Sequence, residues 1–182
     1  MASEPPVQFV ERQQWLEPLA AGAQHAVAQV FQNGAPGQQM KDVLQGKWLG
    51  HAVHPALTDV PMGAWTATLV LDVMDASGRR DCRTGADVAL TVGLAGAGVA
   101  ALAGLADWHE MKGKPRRVGF AHGMLNLIST GLYTASLVAR SQHQRRAGRY
   151  LAFAGFTLSM ASAYLGGSLV LGDAAGDSRQ KA

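Results

Sequence analysis

The sequence predicts an all-α protein: a four-helix transmembrane bundle with an N-terminal amphipathic helix. Three observations predict it. Stretches free of Asp, Glu, Lys and Arg run over residues 88–106, 118–139 and 150–172, each close to the length of about 20 residues that a hydrocarbon core requires. Only 16% of residues are charged, against roughly 25% in soluble domains, and these charges gather in the N-terminal segment and the loops. The apolar stretches are filled by glycine and alanine more than by leucine, as in GLAGAGVAALAGLA (93–106) and AYLGGSLVLG (163–172). Small residues at four-residue spacing let helices approach closely inside a membrane.

The first element is the amphipathic helix. Leu16, Leu19, Ala20, Ala23, Val27, Val30 and Phe31 recur at helical spacing, which predicts a helix over about residues 7–32, ended by Asn33-Gly34. It lies on the membrane surface or docks against the bundle, and docking is the plainer reading. Residues 1–46 form this soluble or interfacial segment, 47–173 the membrane domain and 174–182 a short polar tail. The N-terminus has neither a basic region nor an early apolar run, so no cleavable signal peptide is expected.

Four spans follow, over about residues 59–76, 86–108, 117–139 and 149–172. In the first, Asp59 or Thr58 is placed to cap the helix and Pro61 suits a first turn. Asp72 lies deep along that span. A charge at mid-membrane costs about 3 kcal/mol, so it should face the bundle or the interface, and Asp72 and Asp75 read as interfacial. Trp48 and Trp65 suit interfacial depth. The loops SGRRDCRTG (77–85), HEMKGKPRR (109–117) and RSQHQRRAGR (140–149) separate the spans. Their arginines read as membrane-flank charges, and no basic stripe for nucleic acid is present. Cys82, the single cysteine, excludes an intrachain disulfide or a cysteine-rich metal site. The lipid bilayer is therefore the first partner, in a multi-pass inner or plasma membrane location, with no nucleic-acid partner.

Alternation of four spans places both termini and the second loop on one side. Lysines and arginines balance almost evenly between the two sides, and the hydrophilic N-terminal segment favours cytoplasmic termini. The same alternation gathers His51, His54, His109 and His122 at the terminal side, with His25 in the N-terminal segment and His143 opposite. His54 precedes Pro55 and is expected to be extended. His122, Asn126, Ser129, Tyr133 and Ser136 share one face of the third span, which should point into the bundle. Neutral imidazole is a haem or metal ligand. His54 and His122 are the leading candidate ligands for haem b or a metal ion, and His51 and His109 are secondary candidates. Asp59, Asp107 and Asn126 would orient the rings. Purely structural histidines are the competing reading.

The segments GKWLGHAVHPALTDVPMGAW (46–65), GLADWHE (104–110), RRVGFAHGMLN (116–126) and AYLGGSLVLG, in that order, resemble a bacterial membrane-domain family called domain of unknown function 2231. The resemblance covers about residues 40–172, and its most specific part runs from His54 to Gly63. It implies the four-helix membrane fold. Relatives often carry a fused Rieske-type iron–sulfur domain on the terminal side, which by association implies redox chemistry and an iron–sulfur or quinone partner. Relatives carry a histidine near the position of Ser168, which this chain lacks. No catalytic residue is implied. The sequence therefore supports two functions. One is a redox or electron-transfer partner subunit with a histidine site on one membrane face. The other is a non-enzymatic membrane scaffold, assembling with itself or with others through its small-residue faces.

Overall fold

The computed structural model describes residues 5–31 and 34–180, with side chains through residue 170. Every regular element among the described residues is helical: α1 Pro6–Arg12, α2 Leu16–Phe31, α3 Gly34–Leu44, α4 His54–Ala76, α5 Cys82–Trp108, α6 Lys114–Ser141 and α7 Arg145–Gln180. α4 packs most extensively on α5, and α6 on α7, giving two antiparallel hairpins. The hairpins meet through α5 with α6 and α4 with α7. The polar segment expected after the fourth span continues α7 through Gln180.

The single N-terminal helix expected over about residues 7–32 is two helices, α1 and α2, and a further helix, α3, follows from Gly34. Pro18 lacks an N–H and is best tolerated in the first turn of a helix, which is where it falls in α2 from Leu16, and α1 is a separate piece. Gly34 opens α3 with φ +72, a left-handed conformation that glycine adopts without penalty. Asn33, the other half of the expected stop, lies outside the described residues. The arm docks on the bundle rather than lying free. Gln24 donates to the carbonyls of Trp108 (2.8 Å) and Met111 (2.9 Å), and Gln45 to that of Ala106 (2.9 Å). Arg116 and Arg117 pair with Glu17, and Lys41 pairs with Glu110 at 2.8 Å. The arm thus caps the end of the bundle that carries the α5–α6 loop.

α4 begins at His54, not at Asp59. The residue before a proline is disfavoured in the helical region, but here His54 is held by a hydrogen bond from Nδ1 to the Ala100 carbonyl of α5 (2.8 Å). Thr58 caps nothing and donates instead to the Pro55 carbonyl (2.6 Å), and Asp59 is exposed. Pro61 sits inside the helix with its ring close to Gly96 of α5, where a Cβ would come within 2.8 Å of Val60 and 3.1 Å of Pro61.

Two helices are long and apolar enough to cross a membrane by length and composition, Cys82–Trp108 and Arg145–Val170, with mean hydropathies of 2.0 and 1.3. The expected four spans are matched by that measure in these two only. α4 falls short because it contains Asp59, Asp72 and Asp75, and α6 because His122, Asn126 and the hydroxyl residues of its polar stripe lower the hydropathy of its charge-free stretch.

Candidate functional site

Where the two hairpins face one another, three layers of paired side chains stack along the bundle. At the arm-capped end, His54 of α4 and His122 of α6 stand edge to face, with ring centroids 6.3 Å apart. Each ring is fixed in the same way. His54 Nδ1 bonds the Ala100 carbonyl of α5 and His122 Nδ1 bonds the Ser162 carbonyl of α7, both at 2.8 Å. Nδ1 therefore carries the proton in both rings, leaving each Nε2 as an acceptor. Glycine creates the room: a Cβ on Gly104 or on Gly166 would lie 2.8 Å from Cε1 of the facing imidazole. The two Nε2 atoms differ. Asn126 Nδ2 donates to His122 Nε2 (2.9 Å), whereas His54 Nε2 makes no hydrogen bond among the described residues.

In the middle layer Trp65 of α4 stacks on Tyr133 of α6, with centroids 4.1 Å apart and planes 17° from parallel. Trp65 was expected at the membrane interface. It is instead only 4% exposed and anchors the core with Leu90, Tyr133 and Ala152. Gly93 of α5 and Gly155 of α7 back onto the two rings. Trp65 Nε1, Tyr133 Oη and Ser159 Oγ are buried without a hydrogen-bond partner among the described residues.

The third layer is ionic. Arg140 of α6, with its side chain 2% exposed, clamps both carboxylate oxygens of Asp72 and reaches Asp87 at 3.0 Å and Ser136 Oγ at 3.0 Å. Arg145 binds Asp87 through one nitrogen at 2.6 and 2.7 Å. Asp75, fully covered, receives Arg83 at 2.7 Å, Arg149 at 2.9 Å and Arg145 at 3.4 Å. Of the arginines read from sequence as flank charges, Arg140, Arg145 and Arg149 thus turn into the bundle while Arg79, Arg80 and Arg146 stay exposed, and Asp72 and Asp75 face inward, one of the two placements expected for Asp72. Charge-assisted, multidentate pairs of this kind offset the cost of removing the ions from water.

Of the other candidate residues, His51 is exposed and bonds only the adjacent Ala52 carbonyl (3.3 Å). His109 packs against Phe31 of the arm, 5.2 Å between centroids, with Nδ1 on the Ala106 carbonyl at 2.7 Å. Neither joins the His54–His122 pair. Asp59 and Asp107 make no hydrogen bond to either ring; main-chain carbonyls hold the imidazoles in their place. Asn126 does bond its histidine.

The family model described as "Predicted membrane protein (DUF2231)" matches residues 50–179. The chain belongs to that family. In this DUF2231 protein the match begins just before α4 and takes in both hairpins, so every residue of the three layers falls inside it. No curated protein and no solved structure matches the chain.

Does the histidine layer fit haem or a metal? Two imidazole nitrogens at about 2 Å from one ion would put ring centres roughly 6 Å apart, close to the spacing observed. A porphyrin also needs a flat slot between the rings. Cavities of about 520 Å³ beside Phe9, Val10 and Leu165 and about 610 Å³ around Arg146 and Tyr150 are not lined by either histidine. Asn126 already holds the His122 nitrogen that iron would take. No group of three or more His, Cys, Asp or Glu side chains suited to a metal ion occurs among the described residues. As arranged, the layer does not fit haem.

Proposed function

We propose that this DUF2231 protein is a four-span, non-enzymatic membrane scaffold whose histidines tie helices together, with the arm and the termini on the cytoplasmic face of the plasma membrane. The observation that carries this reading is inside-out polarity. The buried set includes Thr68, Asp72, Asp75, Ser129, Ser136, Arg140, Ser159 and Ser162. The exposed set includes Val60, Val70 and Val73 on α4 and Leu127, Ile128 and Val138 on α6, beside Val88, Val99, Phe153 and Val170 on α5 and α7. A soluble bundle shows the reverse, and a protein in water rarely presents an apolar girdle on every helix. Hydrocarbon around the bundle accounts for α4 and α6 as spans even though their average hydropathy is low, because their polar residues point inward.

Topology reporters at residues 77–81, 109–113 and 142–144 test it. Four spans place the first and third sites on one side and the second on the other. If only α5 and α7 cross, that alternation fails.

A second reading, a redox-partner subunit in which the two histidines hold a metal or haem, is favoured by one observation. Both rings are locked in the tautomer that ligands use, and His54 Nε2 is unpartnered. It requires Asn126 to release His122. An absorption spectrum of detergent-purified protein, oxidised and then reduced, with metal analysis, separates the two. A Soret band lost in His54→Ala and His122→Ala supports the redox reading. A colourless, metal-free preparation from haem-replete cells supports the scaffold.

A further inference from the structure

The three layers pair equivalent residues. The spacing from His54 to Trp65 to Asp72 on α4 is repeated, residue for residue, from His122 to Tyr133 to Arg140 on α6. Around the aromatic layer the text itself repeats, GAWTATLV (63–70) against GLYTASLV (131–138). The partner helices keep a matching register: Gly93, Ala100 and Gly104 on α5 are spaced as Gly155, Ser162 and Gly166 on α7, and serve the same rings in the same way. Equivalent side chains meeting one another is the mark of a two-fold axis, where a patch contacts its own counterpart. Two-helix repeats run in the same direction, so the axis lies along the bundle.

The chemistry at two equivalent positions is inverted. Asp72 corresponds to Arg140, and Asp87, by the α5–α7 register, corresponds to Arg149. Among the described residues, every ion pair between the hairpins runs from a carboxylate of the first, Asp72, Asp75 or Asp87, to a guanidinium of the second, Arg140, Arg145 or Arg149. Two first hairpins together would set Asp72 against Asp72, and two second hairpins Arg140 against Arg140. Like charges brought together in this way exclude the wrong partner.

We infer that the membrane domain is two copies of one helical hairpin joined in tandem, and that the α4 face is a pairing surface whose partner is the α6 face, with Asp72 and Arg140 specifying unlike over like pairing. This holds whether or not the histidines carry a ligand.

The test uses the full chain with a site for a specific protease placed between Lys112 and Gly113. After cleavage the two fragments stay together in mild detergent. Separated in denaturant and returned to lipid under conditions where the uncut chain refolds, they recombine one to one. Asp72→Arg in the first fragment lowers recombination with the native second fragment on the order of a hundredfold, and Arg140→Asp in the second recovers part of it, Asp87 still facing the new carboxylate. The inference is overturned if the fragments fail to recombine where the uncut chain refolds, if first fragments pair with themselves as readily as with the second, or if the charge mismatch leaves recombination unchanged.

Discussion

Arg140 on α6 closes on both carboxylate oxygens of Asp72 on α4, with 2% and 6% of the two side chains exposed, so one residue from each hairpin neutralises the other in the interior. Breaking such a pair from one side leaves a buried charge uncompensated. Arg140→Ala should destabilise the domain by about 3–5 kcal/mol. The double change Asp72→Leu with Arg140→Met should cost much less, although Asp87 then keeps only Arg145. Equilibrium unfolding in detergent of the single and double variants measures both.

Glycine positions divide sharply. Gly93→Ala drives a methyl into the Trp65 indole and Gly104→Ala sets one 2.8 Å from His54, so each should destabilise by about 1–3 kcal/mol. At Gly98 a methyl meets nothing within 4 Å, and alanine is the better helix former. Gly98→Ala should be neutral, or stabilising by up to about 1 kcal/mol. Equal losses at all three positions in the same unfolding assay would show that close approach is not what these glycines provide.

The two histidines should not be equivalent energetically. His54→Leu removes one hydrogen bond to a carbonyl. His122→Leu removes the bond to Ser162 and also strands Asn126. An unsatisfied buried group costs about 1–3 kcal/mol, and Asn126 is half-buried, so His122→Leu should be the more damaging by up to the lower part of that range. A larger loss at His54 would contradict the bonding described.

Arm docking should be acid-labile. Glu17 is held below the ordinary carboxylate value of 4.5 by hydrogen bonds from Arg116 and then Arg117, and Glu110 by Lys41 and then Gln45. A carboxylate lowered in the folded state contributes fully above 4.5 and loses its contribution as pH falls through the folded value. Hydrogen exchange in α1–α3, corrected for the intrinsic rate at each pH, should therefore be slow at neutral pH and rise below about pH 4.5, before α4–α7 open. Glu17→Gln should raise it already at pH 7. An arm equally protected at pH 3 and pH 7 would mean that these pairs do not hold it.

The helices of the bundle were legible because three of them lack charge over a membrane's width, and the polar face of α6 was legible because His122, Asn126, Ser129, Tyr133 and Ser136 keep helical spacing. The meeting of His54 with His122 followed from alternation alone. Other features were hidden by rules that hold on average. Tryptophan favours interfaces, which concealed the burial of Trp65 on Tyr133. Arginine beside an apolar stretch reads as a flank, which concealed Arg140, whose partner Asp72 lies far away in the chain. Arg140 could have been found by setting α4 over α6, where the matching GAWTATLV and GLYTASLV segments bring aspartate and arginine into register. The break between α1 and α2 was missed because the expected helix was extended back to residue 7 although its periodic apolar residues begin only at Leu16, after the polar run at residues 11–14, and Pro18 suits a helix start there.

The ion layer also constrains biosynthesis. Ribosomes deliver α4 and α5 first, and at that moment Asp72, Asp75 and Asp87 have only Arg83 for company. Each uncompensated aspartate at depth opposes insertion by about 3 kcal/mol, and relief comes only once Arg140, Arg145 and Arg149 have been translated. If all four helices span the bilayer, as proposed above, the leading half must therefore linger at the insertion machinery, or in a shallow position, until the trailing half arrives, and the two halves commit to the bilayer together.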